Sequence, residues 1–313
     1  MLRFTVRRVI SGAILLVAIS IAAFFLSHWA FPNPASAILG DNATPSQEAA
    51  LNSKLGLDQP IITQFFSWIG HAVTGDFGTS WANSRSVTGE LASKLPVTLS
   101  IVIFATLISA VVGAAFGIVS GTRPGSAIDR VVKMAAVVLF ALPGFWVSLV
   151  LVIWFAINLK WFPAVGYVQP AKSFAGWLDS ITLPAIALSL GAIVSVAEQL
   201  RNAVVRVNGQ EYVRTLRSRG LSRGRLITHI VRNASPAALT VLALQFVGLL
   251  GGAIIVETIF NLPGIGAVTM SAANSADIPM ILGITVVSVL FVVIVNLLLD
   301  LLLGIVNPKA RTS

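Results

Sequence analysis

Six stretches of this chain are long and apolar enough to cross a bilayer, and they leave few folds open. They are Val9–Phe31, Val97–Ser120, Met134–Ile157, Ile181–Ala197, Ala237–Val256 and Pro279–Leu299, the last continuing past Asp300 to about Val306. None holds a Lys, Arg, Asp or Glu within those limits. Roughly 20 apolar residues span the hydrocarbon core as a helix, and a helix satisfies its own backbone hydrogen bonds there. The chain is 56% hydrophobic and 11% charged, where a soluble protein carries about a quarter charged residues. The expected fold is therefore all-α, a polytopic membrane protein with six transmembrane helices. Ile181–Ala197 is the shortest span.

Arg3, Arg7 and Arg8 before the first span, with Ala35-Ser36-Ala37 after it, have the outline of a cleavable signal. Signal cores run about 7–15 residues, and this apolar run is longer, so an uncleaved helix is expected. With the N-terminus inside, sixteen of the 21 basic residues fall on the cytoplasmic side, eight of them between Glu198 and Ser235. Lys54, Arg85, Lys94, Lys160 and Lys172 fall outside. That bias sets orientation and places both termini in the cytoplasm. It also explains the net charge of +9 without nucleic acid. The absence of cysteine removes disulfides and thiolate metal sites.

Two loops look ordered. In the first, 32–95, Thr44-Pro45-Ser46-Gln47 has the form of a capping box with Pro at the first helical position, and Gly56 ends that helix. Ile61, Ile62, Phe65, Phe66 and Ile69 then recur at helical spacing, as in a helix lying on the membrane surface. Gly75-Asp76-Phe77-Gly78 reads as a turn. In the second, 198–235, the segment Glu211–Gly220 is a helix candidate. Tyr212, Val213, Leu216 and Gly220 share one arc, with Arg214, Thr215 and Ser218 opposite. By itself this basic amphipathic segment suits anionic lipid and a protein partner equally.

Within the spans Gly113, Gly117 and Gly121 recur every four residues, as do Gly248 and Gly252, a spacing that lets helices approach closely. Pro143-Gly144 interrupts the third span, which is tolerated where it is buried or lines a cavity.

Self-contained chemistry is missing. The dipeptide Gly-Lys of a phosphate-binding loop does not occur, and His28, His71 and His229 lie far apart. An intramembrane hydrolase would need a serine and a histidine at similar depth. A stand-alone ion-coupled carrier usually keeps a carboxylate near the midplane, whereas Glu198, Glu257 and Asp300 sit at span ends. Neither metal nor cofactor is expected in this chain.

Glu211-Tyr-Val-Arg-Thr-Leu-Arg-Ser-Arg-Gly-Leu-Ser222 with His229-Ile-Val-Arg-Asn-Ala234 resembles the cytoplasmic loop signature of binding-protein-dependent ABC importer permeases, in the dipeptide/oligopeptide/nickel branch. The resemblance extends to Leu55–Pro60, Gly75–Gly78, Leu244–Gly266 and the ending Asn307-Pro308-Lys309. It implies the type I importer transmembrane fold in a bacterial cytoplasmic membrane. Residues 1–95 would form an N-terminal helix and extracytoplasmic segment, 96–306 the transmembrane core, and 307–313 a cytoplasmic tail. Short peptides are the implied substrate, with nickel or another small solute as the alternative. The implied partners are a second homologous permease, two ATP-binding subunits carrying the ATP and magnesium, an extracytoplasmic substrate-binding protein, and membrane lipid.

The resemblance also implies a coupling helix that fits a groove on the ATPase. Carried over by position, its residues are Tyr212, Val213, Arg214, Thr215, Leu216, Arg217, Arg219, Gly220 and Leu221. Where the branch commonly has Arg-Thr-Ala, this chain has Arg214-Thr215-Leu216, so Leu216 is expected to tune the fit to one ATPase. Glu257 and Asn261 are the implied outer-gate residues. Asp300 is expected to pair with an arginine.

Overall fold

Apolar spans with no charge inside them have one way to satisfy their backbone, and the chain takes it throughout. The computed structural model describes residues 2–40 and 43–306, so the expected tail 307–313, with the Asn307-Pro308-Lys309 match, lies outside the described residues. The described elements are α1 (Leu2–Ala30), α2 (Pro34–Leu39), α3 (Pro45–Leu55), α4 (Ile61–Val73), α5 (Val87–Thr122), α6 (Ala127–Ala141), α7 (Gly144–Leu151), a π-helical stretch (Val152–Asn158), α8 (Phe174–Asn208), α9 (Glu211–Ser218), α10 (Arg223–Ile259), α11 (Ile265–Asn274) and α12 (Ile278–Val306). Among the described residues the only extended pairing is one isolated bridge, Thr79 to Ser86.

Five helices are long and apolar enough to cross a membrane, and a sixth span arises if α6 and the helix following it count together. Those two are bent by 99°. The cause is local. Leu142 precedes a proline and takes the extended conformation (φ −80, ψ 127), which the ring of Pro143 imposes on its predecessor. The expected fourth span, Ile181–Ala197, proves to be the middle of the 35-residue α8. Asp179 and Glu198 bound the apolar run, but both are exposed and Arg201 beyond them is paired with Asp129, so the helix continues through all three.

The chain divides into two compact units. One comprises Thr98–Leu262 with described residues up to Arg8 and from Ile294 onward; the other comprises Val9–Val97 with Pro263–Val293. In the first, α5 and α8 touch backbone to backbone. A methyl added at Gly113, Gly117 or Gly121 would lie 2.9 Å from Val196 Cβ, 2.8 Å from the Ala197 carbonyl oxygen and 2.8 Å from Val204 Cβ, respectively. The Ser109 hydroxyl donates to the carbonyls of Ala105 (2.7 Å) and Ser189 (3.3 Å), linking the same two helices. At the ends of the chain Arg8 Nε and Asp300 Oδ2 lie 3.2 Å apart, the ion pair expected for Asp300.

In the second unit the capping box forms as the sequence dictates. The Gln47 amide hydrogen bonds to Thr44 Oγ1, the Thr44 amide to Gln47 Oε1, and Gly56 closes α3 at φ 71. On α4, Phe65 packs edge-on against Phe24 of α1 at 5.2 Å, while Ile62 and Phe66 stay exposed. Asp277 is buried at the start of α12, where its carboxylate accepts from the Ser80 hydroxyl and from the Trp81 (3.1 Å) and Met280 (3.3 Å) amides.

Candidate functional site

The basic loop between α8 and α10 holds α9, a helix of eight residues. Isolated helices that short are not stable in water, so α9 exists because something anchors it. Val213 is fully buried against Leu200, Ala203, Val204 and Val207 of α8 and Leu226, Ile230 and Ala234 of α10, with Leu216 partly buried beside it. The Tyr212 hydroxyl accepts from Asn233 Nδ2 at 3.1 Å, and Arg217 Nη2 donates to Asn208 Oδ1 at 2.6 Å. Each ties α9 to a flanking helix.

Both ends of α9 are written into the sequence. Glu211 lies in the first turn and Arg217 in the last, each opposing the helix dipole. The C-terminus closes with the Gly220 amide on the Arg217 carbonyl (3.0 Å) and the Leu221 amide on the Leu216 carbonyl (3.3 Å). That is a Schellman arrangement, which needs a left-handed residue at Gly220 (φ +74). The helix therefore ends at Ser218, earlier than the expected 212–221, with Arg219, Gly220 and Leu221 forming its cap.

What remains outside is basic. Arg214, Thr215, Arg217, Ser218 and Arg219 are all exposed. Guanidinium groups fixed on a short, two-ended mount suit carboxylates of a partner surface, where bidentate geometry adds to charge. Leu216, expected to tune the fit to one ATPase, is turned partly onto the chain's own core. Leu216→Ala should therefore act by loosening the mount, lowering the stability of the purified protein by roughly 1–2 kcal/mol. Protease sensitivity of the 208–222 segment and a thermal unfolding curve would check this; an unchanged mount with altered partner affinity would contradict it.

The other expected residues are dispersed. Glu257 is 1% exposed and accepts a hydrogen bond from the Thr98 hydroxyl. Asn261 is exposed at the end of α10 with φ +47. One is buried and the other exposed. A methyl at Gly252 would meet Leu188 Cδ1 at 3.1 Å, but at Gly248 it would meet nothing within 4 Å. The close packing expected of Gly248 is absent in this chain because that residue lines a cavity.

That cavity, about 420 Å³, lies where the Pro143 break meets α8 and α10, with Ser195 and Gln245 as polar lining. A second of about 590 Å³ runs between α6 and α8 and shares Phe140 and Ser195 with the first. Lys133, Glu198, Arg201 and Asn202 line it. Sequence reasoning passed over two buried carboxylates, Asp129 and Asp277. Both had a local signal. Ser126-x-x-Asp129 has the form of a capping box, and Asp277 immediately precedes a helix that starts Ile-Pro. Among the described residues no group of His, Asp and Glu could hold a metal ion.

Comparison with known proteins agrees over the whole length. Residues 113–312 match the sequence model of the binding-protein-dependent transport system inner membrane component, and residues 1–102 match that of the N-terminal part of such membrane components. A Bacillus subtilis protein named oligopeptide transport system permease protein AppB is 31% identical over 99% of both chains. A Brucella abortus protein described as a candidate peptide transport system permease is 35% identical, covering 97% of this chain and 98% of its own. In fold, 69% of this chain superimposes on 96% of a chain from the MetNI methionine ABC transporter in an inward-facing conformation, at a TM-score of 0.53 and 16% identity.

Proposed function

Because this chain belongs to the family of binding-protein-dependent transport system inner membrane components, we propose that it is the permease subunit of an ATP-driven importer of short peptides, with α9 as its docking element for the ATPase. The permease works by alternating access, and the energy enters from partner chains. Two relatives named as peptide permeases support the substrate class. The observation that carries the docking role is the construction of α9: an eight-residue helix held by buried Val213 and capped at Gly220, presenting Arg214, Arg217 and Arg219 outward. A helix that merely rested on lipid would turn its apolar face to the membrane. This one turns Val213 and Leu216 to its own protein and leaves the arginines to meet something else.

The Lys/Arg bias supports an N-terminus and a 198–235 loop on the cytoplasmic side, where ATP is available. The two cavities beside the Pro143 break are the chain's share of a translocation path completed by a second permease. An external binding protein delivers the substrate. Co-purification of the tagged native chain from its membrane tests the reading. Two ATPase subunits and a second permease are expected to come with it, and the binding protein found in the same operon-encoded set is expected to retain short peptides. A chain that stays folded yet brings no ATPase in any mild detergent would return the loop to lipid and refute the docking role.

A further inference from the structure

We propose that Asp129 is a positioning residue of the transport cycle, making the α5–α6 turn and α6 travel with the stem of the docking helix. The proposal rests on the reading of α9 given above.

Asp129 is 0% exposed, and its carboxylate gathers groups from three helices and a turn. Arg201 of α8 grips it bidentately, Nε to Oδ1 at 2.6 Å and Nη2 to Oδ2 at 2.9 Å. The hydroxyl of Ser120, near the end of α5, donates to Oδ1. The Gly125 amide in the α5–α6 turn donates to Oδ2 at 2.9 Å, and Lys133 Nζ, one turn further along α6, lies 3.4 Å from Oδ2. Fork-to-fork bonds of this kind fix orientation as well as distance, and a buried carboxylate stripped of its arginine is strongly disfavoured. Of the pair, Arg201 has a side chain 16% exposed, so water competes little for the bond.

The location gives the contact its consequence. Arg201 is followed, one and two turns along α8, by Val204 and Val207, the residues on which Val213 of α9 is seated. A push on α9 therefore reaches Arg201 through packed side chains and reaches α6 through Asp129. From there α6 runs to Ala141, where the 99° break begins. Phe140, 72% exposed just before that break, lines both cavities. Among the described residues the Arg201–Asp129 pair is the one ion pair that joins α6 to α8.

The chain has no cysteine, so Phe140→Cys supplies a single reporter. The complete importer, carrying this reporter in an otherwise cysteine-free background, is labelled with a water-soluble maleimide, nucleotide-free and trapped with ATP and vanadate. In the native context the labelling rate is expected to change by at least about fivefold between the two states. With Asp129→Asn and Arg201→Gln together, which removes the buried ion pair and leaves only the half-exposed Lys133 without its carboxylate, that change is expected to fall below about twofold while the importer stays assembled. Arg201→Lys, keeping one bond, should fall between.

A nucleotide-dependent change that survives in the double variant overturns the proposal. So does loss of assembly in both the double variant and Arg201→Lys, since that assigns the pair to the fold rather than to the cycle. Failure of the native arm itself, with no ATPase bound or no change on trapping, strikes the docking reading instead, so the two failures are told apart.

Discussion

Reversing Arg214, Arg217 and Arg219 together to Glu is expected to abolish retention of the ATPase subunits and, with it, uptake. All three side chains are exposed and none carries the hydrophobic anchor of α9, which is Val213. Three positive charges become three negative ones on a face proposed to meet carboxylates. Losing a desolvated charge pair costs about 2–5 kcal/mol and like charges placed face to face cost more, so affinity should fall at least about a thousandfold. Arg217 also donates to Asn208, and its loss should loosen the α8–α9 turn. The triple Lys variant separates the effects: it keeps the charge, loses the fork geometry, and should retain the ATPase weakly. The measurement is ATPase retained per permease at several salt concentrations, beside a thermal unfolding curve. Undiminished retention by the Glu variant would mean that this face does not dock.

Gly117→Leu is expected to be as severe, by a different route. A Cβ there would sit 2.8 Å from the Ala197 carbonyl oxygen and 2.9 Å from Leu200 Cβ. Neither obstacle is the flexible end of a side chain, so α5 and α8 must separate along their length. Overpacking of this kind costs typically 1–3 kcal/mol and more where backbone opposes it. Separation would also part Ser109 from the Ser189 carbonyl. We expect the yield of folded, monodisperse protein to drop by about tenfold or more, a change of at least 1.4 kcal/mol in folding equilibrium. Gly248→Ala is the control. Its added methyl meets nothing, and the yield should be unchanged. Normal yield of the Leu variant would show that the two helices do not meet at Gly117.

Much of this molecule was legible before any coordinates. Apolar length specified the spans, the Thr44–Gln47 box specified the start of α3, and the Leu142-Pro143-Gly144 sequence specified the break. The 3.6-residue period placed Val213 and Leu216 on one face of α9, with Arg214 and Thr215 on another. Other features escaped for stated reasons. The ends of α8 were hidden because hydropathy stops at Glu198 and Arg201, while the helix does not. Gly248 and Gly113 carry the same spacing signal, yet one lines a cavity and the other touches Val196. A four-residue period says that a face is smooth and is silent on whether a second helix lies against it.

Sequence by itself determined the solvent, the apolar segments, the caps and breaks, and the family, because each depends on residues near one another along the chain or on their summed composition. Tertiary structure alone decided that Asp129 meets Arg201 across 72 residues and Asp277 meets Ser80 across 197. It also decided that Val213 seats α9 on α8 and α10 rather than making contact with lipid. A carboxylate in a sequence carries a charge but no address. Burial beside one arginine rather than another is fixed only when the helices that carry them are packed, and in this chain the glycines of α5 bring its end against α8.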